Sequence, residues 1–255
     1  MKKNLLFIIA LFISLGLNAQ YWSQQNTNMA GTFTGVDQVS IVDSSIVWVN
    51  GFNGSGAGGY LPAHARTQDG GATWVAGSYS GFGATVHSSV LTGVTYDKAF
   101  CIAYDTAAAV ASFWQTTDGG STWTIVTGVM NSGPTTFADG VKFWDSNNGF
   151  CYGDPVSNEF DIYTTTDGGT TWNDVLGANI PDPLASEWGY NGSTCACIIP
   201  GGTGFFITNL GRIYKTTDYG ATWAVTAANP FTSVPSSGVV YASSENYIIA
   251  GSYNS

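Results

Sequence analysis

One eight-residue phrase occurs four times: T-Q-D-G-G-A-T-W at Thr67–Trp74, T-T-D-G-G-S-T-W at Thr116–Trp123, T-T-D-G-G-T-T-W at Thr165–Trp172 and T-T-D-Y-G-A-T-W at Thr216–Trp223. The aspartates, Asp69, Asp118, Asp167 and Asp218, stand 49, 49 and 51 residues apart. A fixed period of that length requires a stack of equal supersecondary units.

The residue types say what each unit does. A short carboxylate accepts backbone N–H groups a few residues on, and glycine takes φ > 0 without a Cβ clash, so Asp and Gly close a hairpin. I-Y-T-T-T before the third copy and T-T-W-N-D-V after it are rich in β-branched and aromatic residues, as strands require. The tryptophan opens the outgoing strand, where its apolar face can fill the gap between neighbouring sheets.

Aligning the copies predicts four strands per repeat. They are Val36–Val42, Ile46–Asn50, Ala65–Gln68 and Thr73–Gly77 in the first, and Gly93–Tyr96, Ala99–Tyr104, Ser112–Thr117 and Thr122–Thr127 in the second. The third has Gly140–Asp145, Asn148–Gly153, Phe160–Thr166 and Thr171–Leu176, the fourth Cys195–Ile199, Gly204–Thr208, Arg212–Thr217 and Thr222–Thr226. No helical period of useful length appears. The fold class is therefore all-β, a β-propeller of four-stranded antiparallel blades at about 36–79, 88–128, 137–177 and 190–227, with a partial fifth at 237–255. Residues 21–27 read as the outer strand of the closing blade, whose third strand is missing. An open ring and a truncated chain are the expectation.

The repeated turn resembles the Asp-box, or BNR repeat, of sialidase-like propellers. All four copies keep the Asp, the second Gly and the Trp, while Tyr219 replaces the first Gly of the fourth. The resemblance implies that Asp69, Gly71, Trp74, Asp118, Gly120, Trp123, Asp167, Gly169, Trp172, Asp218, Gly220 and Trp223 are structural and lie away from the ligand face. Gly211–Trp223 also matches the pattern G-x-I-Y-x-T-T-D-x-G-x-T-W of the photosystem II assembly factor family, which offers a protein partner an arginine-rich patch that this acidic chain lacks. G-D-P-V-S-N-E-F-D-I-Y and N-I-P-D-P-L-A-S-E-W-G-Y resemble segments of secreted Bacteroidota propellers that carry a C-terminal type IX sorting domain. A missing sorting domain is expected to follow.

Lys2 and Lys3, the apolar stretch Leu5–Leu17 and then Asn18-Ala19 form a secretory signal peptide, residues 1–19, cut after Ala19. The apolar run is too short to anchor in a membrane, and no later segment could span one. Export to the medium or the bacterial cell surface follows. Without the two lysines, five basic residues face seventeen acidic ones, a formal charge of −12. Nucleic acid and anionic lipid are poor partners for such a surface. Of the four cysteines, Cys101 and Cys151 should point to the same side of successive sheets, and Cys151 has Cys195 or Cys197 as a bridge partner if the thiols are not simply buried. His64 and His87 stand in no ligand spacing with a cysteine, no calcium-loop pattern appears, and no metal or cofactor is expected.

Loops between second and third strands, together with connections between blades, should share the face opposite the repeated turns, where binding loops belong. Asp105 and Asp154 follow second strands in adjacent blades, Glu159 opens a third strand, and Glu187 stands beside Trp188 and Tyr190. Together these residues could form a carboxylate cluster with aromatic platforms suited to a carbohydrate; alternatively, the aspartates cap loops and Glu187 is solvated or bonded to backbone. Sialidase activity is excluded, because the family clamps its substrate with three arginines and this chain has only Arg66 and Arg212. The expected function is a non-catalytic recognition or adhesion module for a glycan or an extracellular protein, and the alternative is a glycoside hydrolase using loop-face carboxylates.

Overall fold

The computed structural model describes residues 24–31, 34–55, 61–130, 137–226 and 237–253. The signal peptide and the first residues of the expected strand 21–27 lie outside the described residues. The first sheet contains Thr34–Ile41 (β1), Val47–Asn53 (β2), Ala63–Thr67 (β3) and Val75–Ser78 (β4). The second contains Val86–Gly93 (β5), Ala99–Asp105 (β6), Val110–Thr116 (β7) and Thr124–Ile125 (β8). Ala138–Phe143 (β9), Gly149–Val156 (β10), Glu159–Thr165 (β11) and Asn173–Asp174 (β12) form the third, and Ala196–Ile199 (β13), Thr203–Ile207 (β14), Ile213–Thr216 (β15) and Ala224–Val225 (β16) the fourth. Each is an antiparallel meander in chain order, the blade of a β-propeller. Ser237–Ser244 (β17) and Tyr247–Tyr253 (β18) pair as a two-stranded sheet beside the fourth blade.

The repeated turn works through its threonines as much as its aspartate. In the third copy the Thr165 hydroxyl donates to Asp167 Oδ1 at 2.8 Å and accepts the Gly169 N–H at 2.7 Å. Asp167 then accepts the Thr171 N–H on Oδ1 at 2.9 Å and the Thr171 hydroxyl on Oδ2 at 2.6 Å. The other three copies repeat these four bonds. Bonds from Thr73, Thr122 and Thr171 hold the carboxyls of Asp69, Asp118 and Asp167 down at about 2. For Asp218, burial opposes the same bonding, and the carboxyl is still lowered. The first glycine of the turn is replaceable because its φ of 68–72° lies in the left-handed region that Tyr219 also reaches, at 60°. The second is not, since a Cβ on Gly169 would meet the Phe100 ring.

The tryptophans of the second, third and fourth turns wedge against the blade before them. Trp123 packs on Tyr79 and His64 at centroid distances of 4.9 and 5.6 Å, and Trp172 meets Phe100, Phe113 and Phe143. Trp223 meets Phe150 and Phe206. The backbone N–H of Trp123 donates to Ser80 Oγ and that of Trp223 to Asn179 O, both in the preceding connection. The outer strands are shorter than expected: 122–127, 171–176 and 222–226 reduce to the two-residue β8, β12 and β16, because Thr122, Thr171 and Thr222 give their N–H groups to the turn aspartates and Trp123 and Trp223 give theirs to the preceding connection.

Polar side chains stitch the inner strands together around the axis. Gln38 bonds the backbone of Ser89 and Leu91, Ser40 Oγ accepts the Gly93 N–H at 2.9 Å, and Thr92 Oγ1 donates to Val141 O at 2.8 Å. Lys142 Nζ then donates to Ser193 O at 2.7 Å, and Cys195 Sγ to Gly238 O at 3.0 Å. All four cysteines are free thiols, so neither candidate bridge from Cys151 forms. Burial pushes the Cys101 thiol up to about 12 and those of Cys195 and Cys197 to about 11.

Both ends of the series leave an apolar sheet face in solvent. Val240 and Ala242 of β17 pack on the fourth blade, while on the opposite face Tyr241 is 70% exposed and Tyr247 and Ile249 are also open. On β1, Val39 and Ile41 are exposed, although Leu91, the counterpart of Val39 in the second blade, is buried. Residues 24–27 enter no strand; instead Gln25 and Asn28 bond the side chain and backbone of Trp74, capping the first turn.

Candidate functional site

The segment Glu187–Tyr190, in the connection between the third and fourth blades, is tied down at every residue. Glu187 is fully buried and forms a 2.6 Å ion pair with Arg212; it also accepts the Thr208 hydroxyl at 2.6 Å and the Leu184 N–H at 2.8 Å. Trp188 donates its N–H to Asn209 Oδ1 and accepts the Asn209 N–H on its carbonyl, at 2.9 and 3.1 Å. Gly189 bridges to Thr208 of the fourth blade and donates its N–H to Asp154 Oδ1 of the third at 3.0 Å. The carbonyl of Tyr190 accepts the Tyr152 hydroxyl at 3.2 Å.

On this base the Trp188 ring stands 37% exposed, edge to face with Tyr190 at 4.9 Å. Leu184 and Leu176, in the same connection, are exposed as well. The arrangement is a large apolar face on a preordered backbone, which loses little entropy on contact with a ligand.

The candidate carboxylates each have local partners. Asp105 Oδ1 accepts the N–H groups of Ala107 and Ala108, at 2.9 and 3.4 Å, and bonds with Thr85 lower its carboxyl: it caps its own turn. Glu159 lies over the backbone of Gly177, where a Cβ would strike its carboxylate. Glu187 is neither solvated nor open to a ligand; Arg212, expected on a third strand, instead precedes β15 and points into the blade-top connection.

Asp154 is different. Burial raises its carboxyl to about 6, against the lowering effect of the Gly189 N–H and of Asp139, with which it shares a hydrogen bond. Asp139, at the start of β9, is 1% exposed; burial and the Asp154 charge raise its carboxyl well above the ordinary range. Both acids lie against the Gly189 backbone, and burial favours the neutral form of Asp139. Asp139 is not among the expected site residues. The available signal was an aspartate inside the apolar inner strand A-D-G-V-K-F, a buried charge that needs a partner.

Among the described residues no group of three or more His, Cys, Asp or Glu is placed to hold a metal ion, and no helix is long and apolar enough to cross a membrane. No protein-family model and no curated protein matches the chain. Solved structures do. YCF48 bound to a D1 peptide is similar over 76% of this chain and 67% of its own length, at 14% identity and a TM-score of 0.39. YCF48 from Cyanidioschyzon merolae is 13% identical over 80% of this chain and 74% of its own, with a TM-score of 0.36. A GH74 xyloglucanase from Xanthomonas campestris is 15% identical with a TM-score of 0.48; the match covers 70% of this chain but spans only 27% of the xyloglucanase.

Proposed function

We propose that this propeller is a non-catalytic recognition module, exported through its N-terminal leader and used outside the bacterial cell to hold a glycan or a protein on its loop face. The observation that carries this reading is Trp188, an exposed indole on a segment whose every residue is hydrogen-bonded to the third or fourth blade. Interface residues that dominate affinity are of this kind, large aromatic anchors on rigid supports.

The state of the acids favours recognition over hydrolysis. Glycosidase carboxyl groups stand about 5–5.5 Å apart when retaining and about 6.5–9.5 Å apart when inverting, with the sugar between them. Asp154 and Asp139 instead lie together beneath the Gly189 backbone, Glu187 is neutralised by Arg212, and Asp105 closes its own turn.

The test is a binding screen of the chain against a glycan array and against immobilised cell-envelope proteins, with Trp188→Ala beside the parent. Loss of the anchor should weaken the best hit at least about tenfold, on the order of 1.4 kcal/mol. Equal binding by the variant removes Trp188 from the role, and turnover of any polysaccharide would overturn the non-catalytic reading.

A further inference from the structure

The loop that carries Trp188 is held from two sides. Blade four holds it through Asn209, Thr208 and Arg212. Blade three holds it through the Tyr152 hydroxyl and through Asp154, and behind Asp154 stands Asp139. The second attachment is unusual in its geometry. Gly189 has no side chain, and a Cβ there would run into Asp139 Oδ2; the absence of that atom lets the two acids lie directly under the loop backbone. Asp139 is buried, and its Oδ2 receives no N–H or O–H donor from the surrounding protein.

We propose that the Asp139–Asp154 pair is a proton-operated latch that fastens the Trp188 loop to the third blade at neutral pH and slackens it in acid. Its bearing on ligand capture rests on the role given to Trp188 above. With one proton on the pair, Asp139 donates to Asp154, and the Asp154 carboxylate receives the Gly189 N–H as a charge-assisted bond. A second proton goes to Asp154. The acceptor is then neutral, and the bond to Gly189 loses about half its strength.

The neighbours leave the pair to titrate on its own. From β10 it is faced by the Tyr152 phenol, raised well above its ordinary range by burial, and from the start of the fourth blade by the Cys195 thiol, raised to about 11; both are neutral throughout the acid range. The cations nearby are committed elsewhere, Lys142 to Ser193 O and Arg212 to Glu187. Burial lifts Asp154 to about 6, so the latch operates between neutral and mildly acidic conditions.

The experiment follows the Gly189 amide of the whole chain by ¹H–¹⁵N NMR, as chemical shift and as protection from hydrogen exchange, from pH 7.5 to 4.5. The expected result is a titration near pH 6 with protection falling about fivefold, the change expected when a charged acceptor becomes neutral. In Asp139→Asn the carboxamide takes the place of the neutral acid as donor to Asp154, so the step should persist with its midpoint little changed, and its disappearance would overturn the pairing. In Asp154→Asn the step should vanish. A Gly189 amide with constant protection, or one whose step persists in Asp154→Asn, overturns the latch. This readout needs no ligand, so it fails or succeeds independently of the Trp188→Ala binding test.

Discussion

Replacing Thr165 by valine deletes one hydroxyl at nearly constant shape and tests the part of the repeated turn that its aspartate hides. The hydroxyl donates to Asp167 Oδ1 at 2.8 Å and accepts the N–H groups of Gly169 and Asp167 at 2.7 and 3.3 Å. Thr165 is buried, so valine leaves the Gly169 N–H without an acceptor and without water, which costs about 1–3 kcal/mol. The weakened Asp167 bond adds about 0.5–1 kcal/mol, and the small gain from an extra buried methyl offsets part of it. The expected loss is about 2–3 kcal/mol. Thr170→Val supplies the control, because the Thr170 hydroxyl makes one exposed bond, to Asp167 O at 3.1 Å, and its loss should stay within about 0.5 kcal/mol. Urea unfolding followed by tryptophan fluorescence reads both as shifts in midpoint at constant m. If Thr165→Val costs no more than Thr170→Val, the hydroxyl relay is not what closes the hairpin.

Arg212→Met leaves the Glu187 carboxylate buried with only Thr208 and Leu184 as donors and should destabilise by about 3–5 kcal/mol; the double change with Glu187→Leu should recover most of it, as a denaturation-based mutant cycle will read. Stability should also peak in mild acid. The Asp69, Asp118 and Asp167 carboxyls, held at about 2 against 3.8 when unfolded, contribute stability above pH 3.8 that is lost as pH falls towards 2. Asp154 has the opposite sign: raised to about 6, its ionisation burdens the folded state above that pH, and the burden is relieved as pH falls towards 3.8. A melting-temperature profile with its maximum between about pH 4 and 6 is expected, and Asp154→Asn should flatten the neutral limb and leave the acid limb in place.

The architecture was legible because it is written four times. A period near 49 residues with a hairpin signal in each unit leaves few alternatives to blades, and Trp123, Trp172 and Trp223 fill the gaps between neighbouring sheets as their position implied. What the pattern could not give was the economy of hydrogen bonds. The two threonines of each turn look like ordinary strand residues in T-T-D-G-G-T-T-W, and only coordinates show one hydroxyl serving both Asp and Gly. The sequence could nominate acids but not their state. Glu187 meets Arg212 from 25 residues away, a pairing set by tertiary packing that no local spacing encodes, and Asp139 comes to Asp154 across the β9–β10 hairpin, whose irregular register the pattern does not reveal.

The stitching of the inner strands has a mechanical corollary. Gln38, Ser40, Thr92, Lys142 and Cys195 each reach only to the next sheet in sequence, so the molecule behaves as a row of links in which every unit knows just its two neighbours. Damage to one link is therefore felt first by the sheets that adjoin it, and the Trp188 loop, fastened to both the third and the fourth, registers damage to either.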